Sequence, residues 1–103
     1  IVFSVSNEGL LFIIDLKNGN IIKTQDLFSS FSNKKRLLLK PTGISLGVER
    51  IFITLNNGKL MVLDLKTGNL IKSIKIDSKT ISEPIIYNKK IYIIKNNSII
   101  ELS

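Results

Sequence analysis

Cysteine and histidine are both absent from the 103 residues. Without cysteine there is no disulfide framework and no thiolate metal site, and the redox compartment leaves no mark on the composition. Without histidine the chain loses the commonest general base and the commonest metal ligand together. Long apolar runs are missing too. None approaches the roughly 18 residues that would cross a bilayer as a helix, and no basic-then-apolar signal segment opens the sequence. Ile1 falls inside a strand-like run with no Met before it, so the sequence reads as a piece whose targeting signal would lie outside it.

What is present is apolar and basic. Hydrophobic residues make up 44% of the chain, enough to bury a core and to argue against disorder. They are mostly Ile, Leu, Val and Phe in short runs broken by Asn-Gly or Lys-x-Gly punctuation, which is the pattern of strands. The net charge of +7 raises nucleic acid or an acidic surface as a partner. Its densest run, Asn33-Lys34-Lys35-Arg36 with Lys40 nearby, has no interleaved aromatic residues to act as stacking platforms. It reads as a solvated loop, with no nucleic-acid partner expected.

The sequence repeats itself. "IDLKNGNIIK" at 14–23 returns as "LDLKTGNLIK" at 63–72, and the offset of 49 that superposes Gly9 on Gly58 also superposes Asp15 on Asp64 and Gly19 on Gly68. A third echo, "KIYIIKNNSIIEL" at 90–102, aligns with "RIFITLNNGKLMV" at an offset of 40. The pair Asn57-Gly58 reads as a tight hairpin turn of type I′, and Asn7 and Gly9 are read as repeat-turn residues of the earlier copy. Asp64 and Asp15 each read as the anchor of a second turn, accepting backbone N–H groups, with Thr67-Gly68 and Gly19 supplying the rest of it. Asn96-Asn97-Ser98 reads as a further hairpin turn.

These signals predict an all-β fold of antiparallel four-stranded meanders. Residues 37–76 form one complete unit, 1–27 the last three strands of a preceding one, and 81–103 the first three of a following one. Residues 28–36 are a loop insertion that lengthens the first offset. A four-stranded meander at a period of 40 to 50 residues is a β-propeller blade, so the expectation is a partial β-propeller with one complete and two incomplete blades. Unpaired edges and uncovered blade faces would then make the piece prone to self-association.

Little in the sequence reads as chemistry. Gly43-Ile44-Ser45-Leu46-Gly47 fits the nucleophile-elbow spelling, but that motif needs a strand–turn–helix and a histidine. Asp15 and Asp64 each lack the closely spaced oxygen ligands of a calcium loop. Glu83 and Glu101 would make a carboxylate pair only if folding joined them. No catalytic, metal or cofactor residues are expected.

Asp64, Thr67-Gly68 and the strands around them resemble the repeat of the pyrroloquinoline-quinone-type propellers, whose usual tryptophan four residues after the glycine is Lys72 here and Lys23 in the first copy. The resemblance implies the fold but, with lysine at both positions, no quinone cofactor and no dehydrogenase activity. The stretch 75–103, with Glu83-Pro84 opening a strand, resembles the C-terminal end of the BamB-like lipoproteins of outer-membrane barrel assembly. That resemblance implies a non-catalytic periplasmic scaffold associated with the outer membrane. Its partners would be proteins of the assembly machinery, and it would touch the membrane only through its parent's lipid anchor. The alternatives are a fragment of a quinoprotein dehydrogenase and a ligand-binding sensor propeller.

Overall fold

The computed structural model describes residues 1–76, 83–88, 90–95 and 98–102. They divide into two compact units, Ile1–Pro41 and Thr42–Ser103. Among the described residues no helix is long and apolar enough to cross a membrane.

In the first unit, β1 (Val2–Val5), β2 (Leu10–Ile14) and β3 (Ile21–Asp26) form an antiparallel meander in that order. Phe3 lies opposite Ile13 and Val5 opposite Leu11, which gives this sheet a front face on which Leu11 and Ile13 are buried. The back face carries Val2, Ser4, Phe12 and Ile14, all exposed or half-buried.

The second unit begins with a four-stranded sheet, β4 (Pro41–Leu46), β5 (Arg50–Leu55), β6 (Lys59–Asp64) and β7 (Leu70–Lys75), in sequential order. It continues with β8 (Ile85–Tyr87), β9 (Lys90–Lys95) and β10 (Ser98–Leu102), in a sheet with β9 in the middle. Phe52 opposite Val62 and Thr54 opposite Leu60 define the front of the larger sheet, and Ile51 opposite Leu63 with Ile53 opposite Met61 define its back. All eight are buried. That is why "RIFITL" and "KLMVLD" are nearly continuous in apolar residues: a strand covered on both faces has no solvent side to spend on polar residues. On the front, Phe52, Leu60 and Val62 pack with Ile93, and Ile76, Ile86 and Ile91 close the cluster. Each fully buried aliphatic side chain contributes about 1.5–3 kcal/mol relative to exposure.

The Asn57-Gly58 hairpin differs from the expected turn. A type I′ turn needs positive φ at both central residues, but Gly58 is left-handed (φ 83°) and Asn57 is not. Gly58 N–H donates to Leu55 O at 3.2 Å, so Leu55 to Gly58 form a turn whose last residue is the left-handed bulge, the three-residue-loop hairpin. Asn57 contributes through its side chain, which accepts Lys59 N–H at 3.1 Å. The same construction recurs at Gly9 (φ 88°), whose N–H donates to Ser6 O at 3.0 Å. In both copies the glycine carbonyl also accepts from the third strand, from Leu27 at 2.9 Å and from Ile76 at 2.8 Å.

Two further expectations are corrected. Residues Asn33–Leu38, taken as part of a bare loop and the start of a strand unit, form helix α1. Ser32 caps it by accepting Lys35 N–H at 3.3 Å, and Lys, Arg and Leu are good helix formers. The third echo also slips. Thr54 pairs with Leu60 but Ile94 pairs with Ile99, so the β9–β10 hairpin is one residue shorter than β5–β6 and the offset of 40 fails beyond its turn. Asn96 and Asn97 lie outside the described residues.

Candidate functional site

The repeat turns sit at opposite ends of their strands. Gly58 and Asn57 close β5–β6 at one end, and Asp64, Thr67 and Gly68 close β6–β7 at the other. The Asp64 carboxylate accepts Lys66 N–H at 3.3 Å and the Thr67 hydroxyl at 3.1 Å, and Thr67 in turn accepts Asn69 N–H at 3.2 Å. Gly68 (φ 73°) donates to Asp64 O at 2.8 Å. In the first unit Asp15 accepts Lys17 N–H at 2.9 Å, Asn18 accepts Asn20 N–H at 2.9 Å, and Gly19 (φ 70°) donates to Asp15 O at 2.8 Å. Asn7 is exposed beside Gly9.

The remaining candidates for chemistry are also engaged. Ser45 lies inside β4 and donates its hydroxyl to the Pro84 carbonyl, tying the four-stranded sheet to the segment that enters β8. Gly43 makes that approach possible, because a Cβ there would fall 2.4 Å from the Glu83 Cβ. Glu101 pairs with Lys90 at 2.8 Å. That carboxylate's hydrogen bond, and then its charge, raises the Lys90 pKa above the ordinary 10.5. Among the described residues, no three Asp or Glu side chains gather to hold a metal ion.

The basic run is anchored. Arg36 pairs with Asp26 at 2.7 Å, and the same Asp26 carboxylate accepts Phe28 N–H at 3.0 Å. Phe28 is fully buried and meets Phe31 edge-on at 6.0 Å. Lys34 and Lys35 stay exposed, as do Leu37 and Leu38.

An open groove of about 680 Å³ lies in the second unit, where the β4–β5 turn meets β8 and β9. Phe52, Ile86 and Ile91 form its floor, and Leu46, Val48 and Arg50 its rim. The turn is held by Gly47 N–H donating to Arg50 O at 2.8 Å and by Leu65 N–H donating to Glu49 O at 3.1 Å, so it is fastened to the Asp64 turn. At its tip Val48 is 86% exposed. A second hollow beyond it is lined by Val48, Glu49, Arg50, Asp64 and Lys66. Sequence reasoning missed this groove. The available signal was a valine at a turn position where Asn, Asp or Gly is usual.

No family model matches the chain, and no curated protein does. Solved structures do match in fold. The computationally designed Ika4 protein superposes over 97% of this chain and 57% of its own, with a TM-score of 0.70 at 10% identity. Saccharomyces cerevisiae Sqt1 gives 0.66 at 18% identity over 85% of this chain and 22% of its own. The quinohemoprotein alcohol dehydrogenase ADHIIG of Pseudomonas putida HK5 also gives 0.66 at 18% identity, over 88% of this chain and 14% of its own.

The sheets are β-propeller blades. β4–β7 is a complete blade, β1–β3 lacks the first strand of one, and β8–β10 lacks the last. The chain spans between 14% and 57% of the proteins it resembles. In blade terms, Lys72 is exposed opposite Val62, and Lys23 is half-buried opposite Ile13.

Proposed function

We propose that the chain is part of a non-catalytic protein-interaction scaffold, a BamB-like periplasmic subunit that assists assembly of outer-membrane β-barrel proteins. The observation that carries the non-catalytic half of this reading is the commitment of its polar side chains to structure. Asp15 and Asp64 hold turns, and Ser45 ties two sheets together. The apolar groove with Val48 at its tip supports protein binding, since it offers shape and hydrophobic area instead of convergent polar groups. The BamB-like half rests on the resemblance of 75–103 and on the propeller fold.

The test is binding of the 103-residue chain to purified periplasmic domains of the barrel-assembly machinery, followed by interferometry. Micromolar binding is expected, weakened about tenfold by Val48→Asp, which would place an unpaired carboxylate in an apolar contact. A parallel titration with pyrroloquinoline quinone and calcium should show no stoichiometric binding. Tight quinone binding would overturn the reading in favour of a quinoprotein, and failure to bind the machinery would remove the BamB-like assignment.

A further inference from the structure

Helix α1 carries an apolar pair that the described residues leave uncovered. Leu37 and Leu38 are 81% and 73% exposed, whereas the next residue, Leu39, is buried. The helix lies in the insertion between β3 and β4, with described chain before and after it, and Arg36 turns one side of it to its own blade through Asp26. The other side is the one of interest. At about 100° of rotation per residue, Leu37, Lys34, Leu38 and Lys35 follow one another around the side opposite Arg36, so the two leucines flank Lys34 one turn on. All four are exposed.

The surroundings of that pair are cationic. No acidic residue lies within α1, and Asp26, the carboxylate that precedes it in the sequence, is already taken up by Arg36 and the Phe28 N–H. A hollow of about 370 Å³ beside Leu37 is lined by Asn7, Glu8, Arg36 and Lys40, where Glu8 sets one negative charge against two positive ones. A partner has to satisfy both halves of this arrangement: the leucines need an apolar interior, and the lysines need anions at its boundary. An anionic bilayer offers both within a depth of about 5–10 Å. Nucleic acid would engage the lysines but leave the leucines in water, and α1 has no aromatic side chain on which a base could stack.

We propose that α1 docks the chain on an anionic lipid surface, with Leu37 and Leu38 entering the acyl boundary and Lys34 and Lys35 meeting headgroup phosphates. The contact is reversible, because two leucines and two lysines bury far less than a membrane-spanning segment does. It is made by the chain itself. The inference goes beyond the scaffold reading, in which the membrane is reached only through an anchor on the parent, and does not depend on it.

Vesicle flotation tests this, because aggregated chain stays at the bottom of the gradient. At low salt the chain should float with vesicles of equal parts phosphatidylcholine and phosphatidylglycerol, and not with phosphatidylcholine alone. Lys34→Gln and Lys35→Gln should each lower the lipid affinity about fivefold, and Leu37→Gln combined with Leu38→Gln about tenfold or more. These positions are exposed and glutamine is a good helix former, so circular dichroism and thermal melting should match the unmodified chain. Because the sequence has no cysteine, a polarity-sensitive dye on Leu38→Cys reads the contact locally. Its emission should shift to the blue on the anionic vesicles. The same dye on Leu16→Cys, 69% exposed beside the Asp15 turn at the other end of the strands, should not shift. Absence of flotation, equal flotation with phosphatidylcholine alone, or no blue shift at position 38 would overturn the proposal. Weakening by the lysine variants without weakening by the leucine variant would overturn it as well, in favour of an acidic protein recognised by charge alone.

Discussion

The first blade and the complete blade carry nearly the same ten letters, yet the letters have different surroundings. Ile14 is half-buried while its counterpart Leu63 is fully buried, and Phe12 is half-buried where Met61 is buried. The turns, by contrast, are the same in both copies down to the Asp carboxylate on the N–H two residues on. What the repeat encodes is therefore local: where strands stop and how they reverse. Burial comes from whatever covers the sheet, and identical motifs contribute unequally to stability.

That contrast can be broken most severely at the covered positions. Leu63→Ala should destabilise by about 3 kcal/mol in denaturant melts, the ordinary cost of a buried leucine cavity, while Ile14→Ala at the equivalent site should cost about 1 kcal/mol. Equal losses would show that the two blades are covered alike in solution.

A pair of glycines sharpens the local half of the comparison. A Cβ on Gly9 would lie 2.3 Å from the Phe28 ring at a φ of 88°, whereas one on Gly19 meets nothing within 4 Å at a φ of 70°. Gly9→Ala should cost about 2–3 kcal/mol through overpacking added to backbone strain, and Gly19→Ala about 1 kcal/mol through strain alone. Indistinguishable melts would place Phe28 away from Gly9.

The insertion is what the first blade has and the complete blade lacks. Arg36 and Asp26 are each about one-third exposed, so Arg36→Met should cost no more than about 1 kcal/mol, and the loss should shrink in high salt. An unchanged helix amide exchange pattern in that variant would show that the ion pair does not anchor α1.

The smallest effect is expected on the third blade. The Lys90 pKa is raised, so whatever stability the pair contributes is present below the unfolded value and disappears as pH climbs through the raised one. Both side chains of the pair are about half exposed to water, so the melting midpoint should be flat from neutral pH to about pH 10 and nearly unchanged in Lys90→Met. A clear alkaline fall that Lys90→Met abolishes would mean the pair is shielded from water.

Strands, their order and the two kinds of turn were legible because each is written within a few residues: apolar runs, a left-handed glycine, an Asp two before an N–H. The turn class at Asn57-Gly58 was not, since it depends on where pairing resumes, and Thr54 opposite Leu60 leaves one residue too many for a two-residue loop. Helix α1 was hidden by its own composition, because a basic run reads as solvated whether or not it is helical. Only the cap at Ser32 and the ion pair to a residue ten positions earlier distinguish the cases. The groove was illegible for a different reason. Its floor joins Phe52 to Ile86 and Ile91, residues of separate sheets, and nothing local in the sequence marks such a meeting.

The glycine carbonyls of Gly9 and Gly58 each receive an N–H from the strand after next, so one peptide unit fastens three strands at a single point. Every partner in that knot lies within about twenty residues along the chain, which keeps loop-closure entropy low and lets a meander form before it finds its neighbours. Folding should accordingly proceed blade by blade. In pulsed hydrogen exchange the amides of Leu27 and Ile76 should gain protection together with their own hairpins, ahead of the slower burial that stacks one sheet on another.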